Sequence, residues 1–390
     1  GKTVAYLDSA ASAQKPRQVI HSMMHVMEDH YANIHRGLYR FSQQTTSDFE
    51  QAREKVAGFI NAPTDQEVVF TRNTTEAINL VAQSWARTHL KEGDEILLTR
   101  MEHHANIVPW HILREQHGVV IKVADIHDDG ALNIDDFADK LSDRTKFVSF
   151  VHVSNALGTI NDAQALVKIV RDKCPDAKIL IDGSQSAVHM PVDVQALGAD
   201  FLAFTGHKLY GPSGIGVLWG KSGLLESMPP YQGGGDMIED VFFDRVTYKK
   251  PPARFEAGTP AIVEAIALGT AVDYVTAIGM EHIREYEAGL LAYAMEALEQ
   301  VDGLTYYGTA KDKAGIISFT ADWGHPSDIG MILDQDGVAV RTGHHCSQPL
   351  MHYFNIDATI RASIGMYTNK DDIDALVKAL QKAKRLLGAE

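Results

Sequence analysis

The sequence predicts an α/β domain built on a mostly parallel sheet, followed by a smaller α+β domain. Between about residues 67 and 220, short apolar runs typical of buried strands recur in the order EVVF, EILLT, VVIKVA, FVSFVHV, KILID, FLAFT and GIGVLWG. Between most of them lie helical patterns, such as TTEAINLVAQSWARTHL and DAQALVKIVRDK, in which apolar residues fall three and four positions apart. Such alternation predicts parallel strands with helices covering both faces of the sheet.

The chain changes character after the last of these runs. A Gly- and Pro-rich region precedes the apolar segment AIVEAIALGTAVDYVTAIGM, which carries Glu264 and Asp273 and therefore predicts a buried or subunit-contact helix more readily than a membrane span. Beyond it, the strands GIISFT, GVAVRTG and TIRASIGMY alternate with helices. We expect residues 1–14 to pack with the small domain, residues 15–270 to form the large domain, and residues 271–390 to form the small domain.

Composition narrows the class of function. The 390 residues carry a formal net charge of −15, which argues against nucleic acid or an anionic membrane as a partner and favours small molecules or proteins. Two cysteines give no disulfide framework, so we expect the reducing cytoplasm. No targeting segment is visible, but the sequence opens at Gly1 without Met, which leaves a removed leader open.

One cysteine lies in an unusual setting. Cys346 follows two histidines in RTGHHCSQPL, a Gly-containing loop between apolar runs, with Arg341 upstream. An exposed thiol beside cationic groups favours its thiolate, which predicts a reactive sulfur. Cys174, in DKCPDAK, is predicted to be structural.

The ends of the predicted strands carry groups suited to an aldehyde cofactor. Lys208 follows FLAFT in a loop, and a lysine among apolar neighbours has a lowered pKa and can form a Schiff base. Asp182 ends KILID, where a buried acid calls for a cationic partner such as a pyridinium nitrogen, and Gln185 could donate to a phenolate oxygen. A solvated surface lysine is the alternative for Lys208 taken alone.

A third group lies at the helix start after VVFT. Asn73 with Glu76 resembles a capping box, and the free N–H groups and hydroxyls of Thr74 and Thr75 suit a phosphate. A plain helix cap remains the alternative for this segment alone. Lysine, acid and phosphate cradle together predict pyridoxal 5'-phosphate.

Seven longer segments carry a resemblance to a known family. They resemble those of the group II (SufS-type) cysteine desulfurases, of the class-V aminotransferase family, from about Tyr6 to the C-terminus, and they read AYLDSAAS, EHHANIVPW, HVSNALGT, DGSQSAVH, TGHKLYGP, RFEAGTP and RTGHHCSQPLM. The resemblance implies the fold type I architecture of pyridoxal-phosphate-dependent transferases, with a seven-stranded sheet in the large domain. It also implies conversion of L-cysteine to L-alanine, with a persulfide on Cys346 that passes to an acceptor protein for iron–sulfur cluster assembly.

The resemblance implies a role for individual residues around the cofactor. Lys208 would carry the cofactor and move the Cα proton, and His103 would stack on its ring and act as acid or base, whereas His104 has no assigned role. The phosphate would be held by Thr75, Thr205 and His207, and by Thr259 of the other subunit of a homodimer. Asn73 stands where relatives commonly have Gly, which predicts a changed backbone preference and a shift in cofactor affinity.

Other residues are expected at the substrate and the thiol. Asn155 and Arg361 would bind the substrate carboxylate, with Arg341 also at the substrate site. Arg341 and His345 flank Cys346 and would favour its thiolate. Ser327 stands where relatives that use a zinc-containing SufU-type acceptor often have His, so a SufE-type acceptor is expected instead.

Two alternatives to this function stay open at this point. A selenocysteine lyase or a transaminase of the same fold would share Lys208 and Asp182 but would have less need for Cys346. The remote alternative is a metal-binding protein that uses the N and S ligands of His103, His104, His344, His345 and Cys346. Their spacing matches no compact metal pattern, and we expect no resident metal.

Overall fold

The computed structural model describes residues 3–388, so Gly1, on which the question of a leader depends, lies outside the described residues. The strands are β1 (Ala5–Tyr6), β2 (Val68–Thr71), β3 (Glu95–Thr99), β4 (Val120–Ala124), β5 (Thr145–Val151), β6 (Lys178–Asp182), β7 (Phe201–Thr205), β8 (Gly216–Gly220), β9 (Ile238–Val241), β10 (Val246–Tyr248), β11 (Leu304–Tyr307), β12 (Ile316–Ala321), β13 (Val338–Ala339), β14 (Arg341–Gly343) and β15 (Thr359–Ser363).

Helices follow or precede most of these strands. They are α1 (Arg17–His25), α2 (Arg40–Phe59), α3 (Thr74–Leu80), α4 (Arg87–His89), α5 (Val108–His117), α6 (Ile134–Lys140), α7 (Ala163–Lys173), α8 (Ser186–His189), α9 (Val194–Leu197), α10 (Ser222–Ser227), α11 (Ile262–Ile278), α12 (Met280–Leu298), α13 (Pro326–Gln335), α14 (Gln348–Phe354) and α15 (Lys370–Leu386). Short π-helical segments span Val26–His30 and Val81–Ala86, and 3₁₀ turns span Asp65–Glu67, His104–Asn106 and Ala253–Phe255.

The central sheet of the described residues has seven strands in the order β2-β8-β7-β6-β5-β3-β4. Strands β4, β3, β5, β6 and β7 are mutually parallel, and β8 runs antiparallel between β7 and β2. Alternate side chains of β6 enter different cores, since Ile179 and Ile181 belong to one core and Leu180 to the other. The predicted α/β architecture with a mostly parallel seven-stranded sheet is confirmed.

The C-terminal part forms its own layer. An antiparallel sheet of order β11-β12-β15-β14 packs with α12, α13 and α15 around a separate core that also contains Ala5 and Leu7. Strand β1 joins this part by pairing in parallel with β13. The predicted boundary at residue 270 falls inside α11, whose buried residues pack mainly with the core of the large sheet, and the helix ends at Ile278. The division into domains stays a prediction.

The long apolar segment is a buried helix. Ten residues of α11 are buried, including Ile262, Leu268 and Val275. Within residues 3–388, no single helix has the length and apolar composition to cross a membrane; α11 and α12 together meet these criteria, but they are bent by 72° where they join.

Candidate active site

A cavity of about 210 Å³ lies where the carboxyl ends of β5, β6 and β7 face the C-terminal sheet. It brings together most of the residues predicted from the sequence: Asn73, Thr74, Thr75, His103, Asn155, Asp182, Gln185, Thr205, His207, Lys208, Arg341, His345 and Arg361. Two predicted residues lie beside it. Cys346 lines an adjoining hollow with His103 and Thr75, and Thr259 is exposed and lines another with Asn73 and His207.

Lys208 lies in the loop between β7 and β8. Its side chain is half-buried, and the accessible part faces the cavity. Burial lowers the pKa of the amine to about 8, against the opposing effect of the Asp182 charge, and the nearby charges of Arg361 and Arg341 lower it further. About a tenth of the Lys208 amine is therefore unprotonated at pH 7, far more than for an ordinary lysine, which suits a nucleophilic amine or a base.

Asp182 ends β6 and is held by the turn that follows. Its Oδ1 accepts hydrogen bonds from the backbone N–H of Ser184 at 2.9 Å and from the Ser184 hydroxyl at 2.6 Å. Because Ser184 donates to Asp182, the Thr74 hydroxyl is the donor in its 2.9 Å contact with the Ser184 oxygen. The Thr74 hydroxyl already donates its proton to Ser184, so Thr74 would bind a ligand through its backbone N–H.

The start of α3 forms an anion-binding end of the cavity. Asn73 caps this helix, since its Oδ1 accepts from the N–H of Glu76 at 2.9 Å, whereas the Glu76 carboxylate bonds to Arg72 and Tyr231 instead of completing a capping box. The φ of Asn73 is −175°, an extended conformation open to any residue, so the expected effect of Asn in place of Gly on backbone preference is wrong. At Gly216 of β8, an added Cβ would lie 2.5 Å from Cα of Asn73, so this glycine permits the close approach of strand and helix start.

Thr205 leaves a polar atom unpaired at the same end. Its Oγ1 is buried and has no hydrogen-bond partner in the structure. Buried hydroxyl groups without partners are uncommon because their desolvation is uncompensated. A ligand with hydrogen-bonding oxygens, such as a phosphate, would satisfy this atom.

His103 is held in one tautomer. Its Nδ1 accepts from the N–H of Ala105 at 3.0 Å, so the ring proton is on Nε2. Burial, followed by the charge of Lys208, lowers the pKa of His103 to about 3. The ring is therefore neutral at physiological pH, with an apolar face and one N–H to offer to a ligand.

Two arginines lie side by side on adjacent strands of the C-terminal sheet. Arg341 of β14 and Arg361 of β15 are cross-strand partners, so their side chains leave the same face of the sheet. Arg361 is 1% exposed; it donates to Asp8 Oδ1 and to the backbone oxygen of Asn155, both at 2.9 Å, and its Nε has no partner. Like charges placed opposite each other are unfavourable alone, and a carboxylate ligand between them relieves that repulsion.

Cys346 lies at a sharp turn beside the cavity. Both His345 and Cys346 have positive φ, 51° and 56°, and Arg341 Nη2 lies 3.5 Å from the thiol Sγ. The Asn155 Nδ2 group donates to the His345 backbone oxygen at 2.7 Å and so ties this turn to the cavity wall. Arginine and thiol are thus placed for a charge-assisted contact.

His345 does not assist the thiol in the way expected from the sequence. The Nε2 atom of its ring bonds to Thr359 Oγ1 at 2.7 Å. Burial, followed by the charges of Arg361 and Arg341, lowers its pKa to about 2. The ring is neutral, so the expectation that His345 supplies positive charge to Cys346 is wrong, and Arg341 is the cation that contacts the thiol.

Sequence reasoning missed three supporting residues. His104 holds the Cys346 turn, because its backbone N–H donates to the Cys346 oxygen at 2.7 Å and its Nε2 accepts from Gln348 N at 3.0 Å. Asp8 pairs with Arg361, and Ser184 orients Asp182. Asp8 and Ser184 lie inside the segments AYLDSAAS and DGSQSAVH, where their polar side chains beside small residues were the available signal.

The metal-binding alternative finds no support in this geometry. Within residues 3–388, no group of three or more His, Cys, Asp or Glu residues could hold a metal ion. Of the five residues named for it, His103, His104 and His345 use a ring nitrogen in the hydrogen bonds already described. The cavity suits an organic anion better, since Lys208, Arg341 and Arg361 outnumber Asp182 among its charged groups.

Comparison with known proteins identifies the family. The family described as Aminotransferase class-V matches residues 5–376. The chain belongs to this family. A cysteine desulfurase from Pectobacterium atrosepticum is 50% identical over 390 residues, covering 100% of this chain and 95% of its own. Two solved structures are each 38% identical and cover 98% of this chain and 95% of theirs: the cysteine desulfurase CsdA from Escherichia coli, at a TM-score of 0.92, and a cysteine desulfurase from Thermococcus onnurineus NA1, at 0.94.

Proposed function

We propose that this member of the class-V aminotransferase family is a pyridoxal-phosphate-dependent cysteine desulfurase of group II. L-cysteine and the Cys346 thiol would give L-alanine and a persulfide on Cys346. The observation that carries the proposal is the placement of the Arg341–Arg361 pair and the Lys208 amine in one cavity, with Cys346 in the turn beside it. A carboxylate, an amino group and a sulfur atom are the three groups of cysteine that these side chains suit.

The residues present fit pyridoxal phosphate. Lys208 would bond its aldehyde, Asp182 would pair with its ring nitrogen, and Gln185 would donate to its phenolate oxygen. Its phosphate would be held by Thr75, His207, the unpaired Thr205 hydroxyl and the backbone N–H groups at the start of α3. When bound, the cofactor supplies an electron sink that acidifies the Cα–H bond of an attached amino acid.

The side chains of the cavity would bind the substrate, move its protons and accept its sulfur. Arg361, with Asn155, binds the substrate carboxylate and orients the Cα–H bond towards Lys208, whose lowered pKa of about 8 suits it to remove that proton. His103 offers its Nε2 proton beside the cavity. The Cys346 thiolate, next to Arg341, attacks the substrate sulfur; a new S–S bond forms, the C–S bond breaks, and its electrons with a proton complete alanine.

Three measurements test this proposal. Purified protein should absorb near the band of a cofactor bound to lysine, and L-cysteine with a thiol reductant should yield alanine and sulfide in equal amounts. Lys208→Ala should abolish both the band and turnover. Alanine release by Lys208→Ala, or no alanine from the unaltered protein, contradicts the proposal.

We also propose a homodimer in which Thr259 reaches the phosphate site of the partner. Thr259 is exposed, and the hairpin β9–β10 carries the exposed apolar side chains Val241, Phe242, Phe243, Val246 and Tyr248, which a partner would cover. Mass measurement in solution tests the dimer. Mixing the inactive variants Thr259→Ala and Lys208→Ala should restore activity in mixed dimers, because one site then has both residues intact.

The persulfide would pass to an acceptor protein for iron–sulfur cluster assembly in the cytoplasm. The hollow beside Cys346 includes the exposed apolar residues Val108 and Ile112, which suit a protein partner. A SufE-type acceptor is favoured over a SufU-type one because Ser327 supplies no metal ligand and His325 Nδ1 already accepts from the Ser327 N–H at 3.2 Å. Stronger stimulation of turnover by a SufU-type protein would contradict this choice.

A further inference from the structure

A buried chain of three polar side chains runs from the cavity to the C-terminal part of the protein. Gln185, which lines the cavity, contacts His189 of α8, with His189 Nε2 and Gln185 Oε1 3.2 Å apart. His189 Nδ1 lies 2.6 Å from Glu287 Oε2 of α12. The exposures of the three residues are 1%, 4% and 2%, so solvent does not take part in these contacts.

The direction of these hydrogen bonds follows from a backbone carbonyl. Gln185 Nε2 donates to the backbone oxygen of Ala10 at 2.9 Å, and a carbonyl oxygen can act as acceptor only. The amide nitrogen is therefore on the Ala10 side, and Oε1 faces His189. Because Oε1 is also an acceptor, His189 Nε2 must carry a proton and donate it to Gln185.

Glu287 is the hydrogen-bond partner of the other ring nitrogen of His189. When Nε2 carries a proton, the short contact between Nδ1 and Glu287 Oε2 needs a second one. That proton lies either on Nδ1, which makes the ring an imidazolium paired with a carboxylate, or on Oε2, which makes Glu287 a carboxylic acid that donates to Nδ1. A ring with a single proton would instead hold it on Nδ1, facing the carboxylate, and would leave Nε2 bare. That tautomer would face Gln185 with an acceptor and would favour a rotated amide.

We propose that His189 and Glu287 are positioning residues that fix the side-chain amide of Gln185, so that its second N–H is directed at the phenolate oxygen of the cofactor. A rotated amide would present its oxygen to that anionic atom instead of a donor. The inference rests on the proposed cofactor. It assigns a role to two residues that do not touch the cavity, one of them on a helix of the C-terminal part.

The test removes the pair without leaving a buried charge. In His189→Phe/Glu287→Leu, both partners become apolar, which avoids the destabilisation caused by one unpaired buried carboxylate. In His189→Gln/Glu287→Leu, the glutamine amide nitrogen takes the place of His189 Nε2, so a donor to Gln185 is retained. Circular dichroism and thermal melting establish that each variant is folded.

The readouts are the dissociation constant of pyridoxal 5'-phosphate from reconstituted protein and the absorption band of the bound cofactor with its pH dependence. The Phe/Leu variant should bind about tenfold more weakly, as expected for loss of a hydrogen bond to a charged group, and its band should shift. The Gln/Leu variant should lie close to the unaltered protein. Adding the Phe/Leu changes to Gln185→Met should weaken binding no further, because the pair acts through that amide.

A matched control is His30→Phe/Asp48→Leu. His30 and Asp48 form a partly buried imidazole–carboxylate contact, at 2.8 Å, but neither lines the cavity, so cofactor affinity and band should not change. Equal affinities and bands in the Phe/Leu and Gln/Leu variants, or additive losses in the Gln185→Met background, would overturn the inference. Unaltered protein that binds the cofactor but forms no alanine from L-cysteine would refute the proposed activity while leaving the binding comparison valid.

Discussion

The electrostatic environment of Cys346 permits a quantitative test that needs neither cofactor chemistry nor substrate. Arg341 Nη2 lies 3.5 Å from Sγ, whereas the ring of His345 is neutral and turned to Thr359. The thiolate should therefore depend on Arg341 and not on His345. The changes to compare are Arg341→Met, which keeps an unbranched side chain without charge, and His345→Gln, which can still bond to Thr359.

The magnitude follows from the distance. Two unit charges 3.5 Å apart attract by about 1 kcal/mol in water and by more where protein displaces water. Since Arg341 is half-buried beside an open hollow, the lower value applies, and losing about 1 kcal/mol of attraction would slow a reaction of the thiolate by at most about fivefold. A less stabilised thiolate is also a stronger nucleophile, which offsets part of this loss, so we expect alkylation about threefold slower in Arg341→Met.

The assay is the rate of iodoacetamide alkylation at neutral pH, measured by mass spectrometry on the peptide that contains Cys346. Following that peptide alone distinguishes alkylation of Cys346 from alkylation of the buried Cys174. His345→Gln should react at the rate of the unaltered protein. Equal slowing in both variants, or an unchanged rate in Arg341→Met, would refute the assignment of Arg341 as the cation that stabilises the thiolate.

Three further predictions concern the cofactor site. The pKa of Lys208 is about 8 in the folded protein and 10.5 ordinarily, so the unfolded chain binds more protons between these two values, and the free energy of unfolding should rise with pH across that window. Lys208→Met should therefore stabilise the cofactor-free protein at pH 7, by about 2 kcal/mol when water in the cavity is allowed for. Urea unfolding measures this change. Cys346→Ala should keep the cofactor band but lose most alanine formation from L-cysteine and less from L-selenocysteine, whose selenium is the better leaving group; equal losses would exclude Cys346 as the sulfur acceptor. Gly216→Ala should weaken cofactor binding by displacing Asn73, whereas Gly223→Ala, where an added Cβ meets nothing within 4 Å, should not.

The sequence was sufficient for the framework of the site because strand ends can be read from local patterns. Asp182 and Thr205 end β6 and β7, and the carboxyl ends of parallel strands meet at one edge of a sheet, which brings such residues together. The capping role of Asn73 was likewise local. These predictions needed no knowledge of contacts between distant parts of the chain.

Long-range contacts and ring orientation were beyond the sequence. Asp8 reaches Arg361 across 353 positions and His189 reaches Glu287 across 98, and no periodicity encodes such pairs. His345 was expected to assist Cys346 because the two are adjacent, but positive φ at both residues turns the histidine ring towards β15. Neighbours in sequence were thus a poor guide to neighbours in space at this turn.

The antiparallel strand β8 has a consequence for how the site is held. The Lys208 loop leaves β7 and returns to the adjacent β8, with its ends joined by the Gly206 N–H to Ile215 oxygen bond at 2.9 Å, and the helix start at Asn73 follows β2 on the other side of β8. Lys208 and the helix start that would bind the phosphate are therefore both attached to β2, β8 and β7, three hydrogen-bonded strands of one sheet. Arg341, Arg361 and Cys346 belong to the other sheet or to the turn that follows it. A shift of the C-terminal sheet by about an ångström would change the distance between the thiol and the substrate, while the residues that hold the cofactor kept their positions. Substitutions in the C-terminal sheet can therefore alter sulfur transfer without weakening cofactor binding by the large sheet.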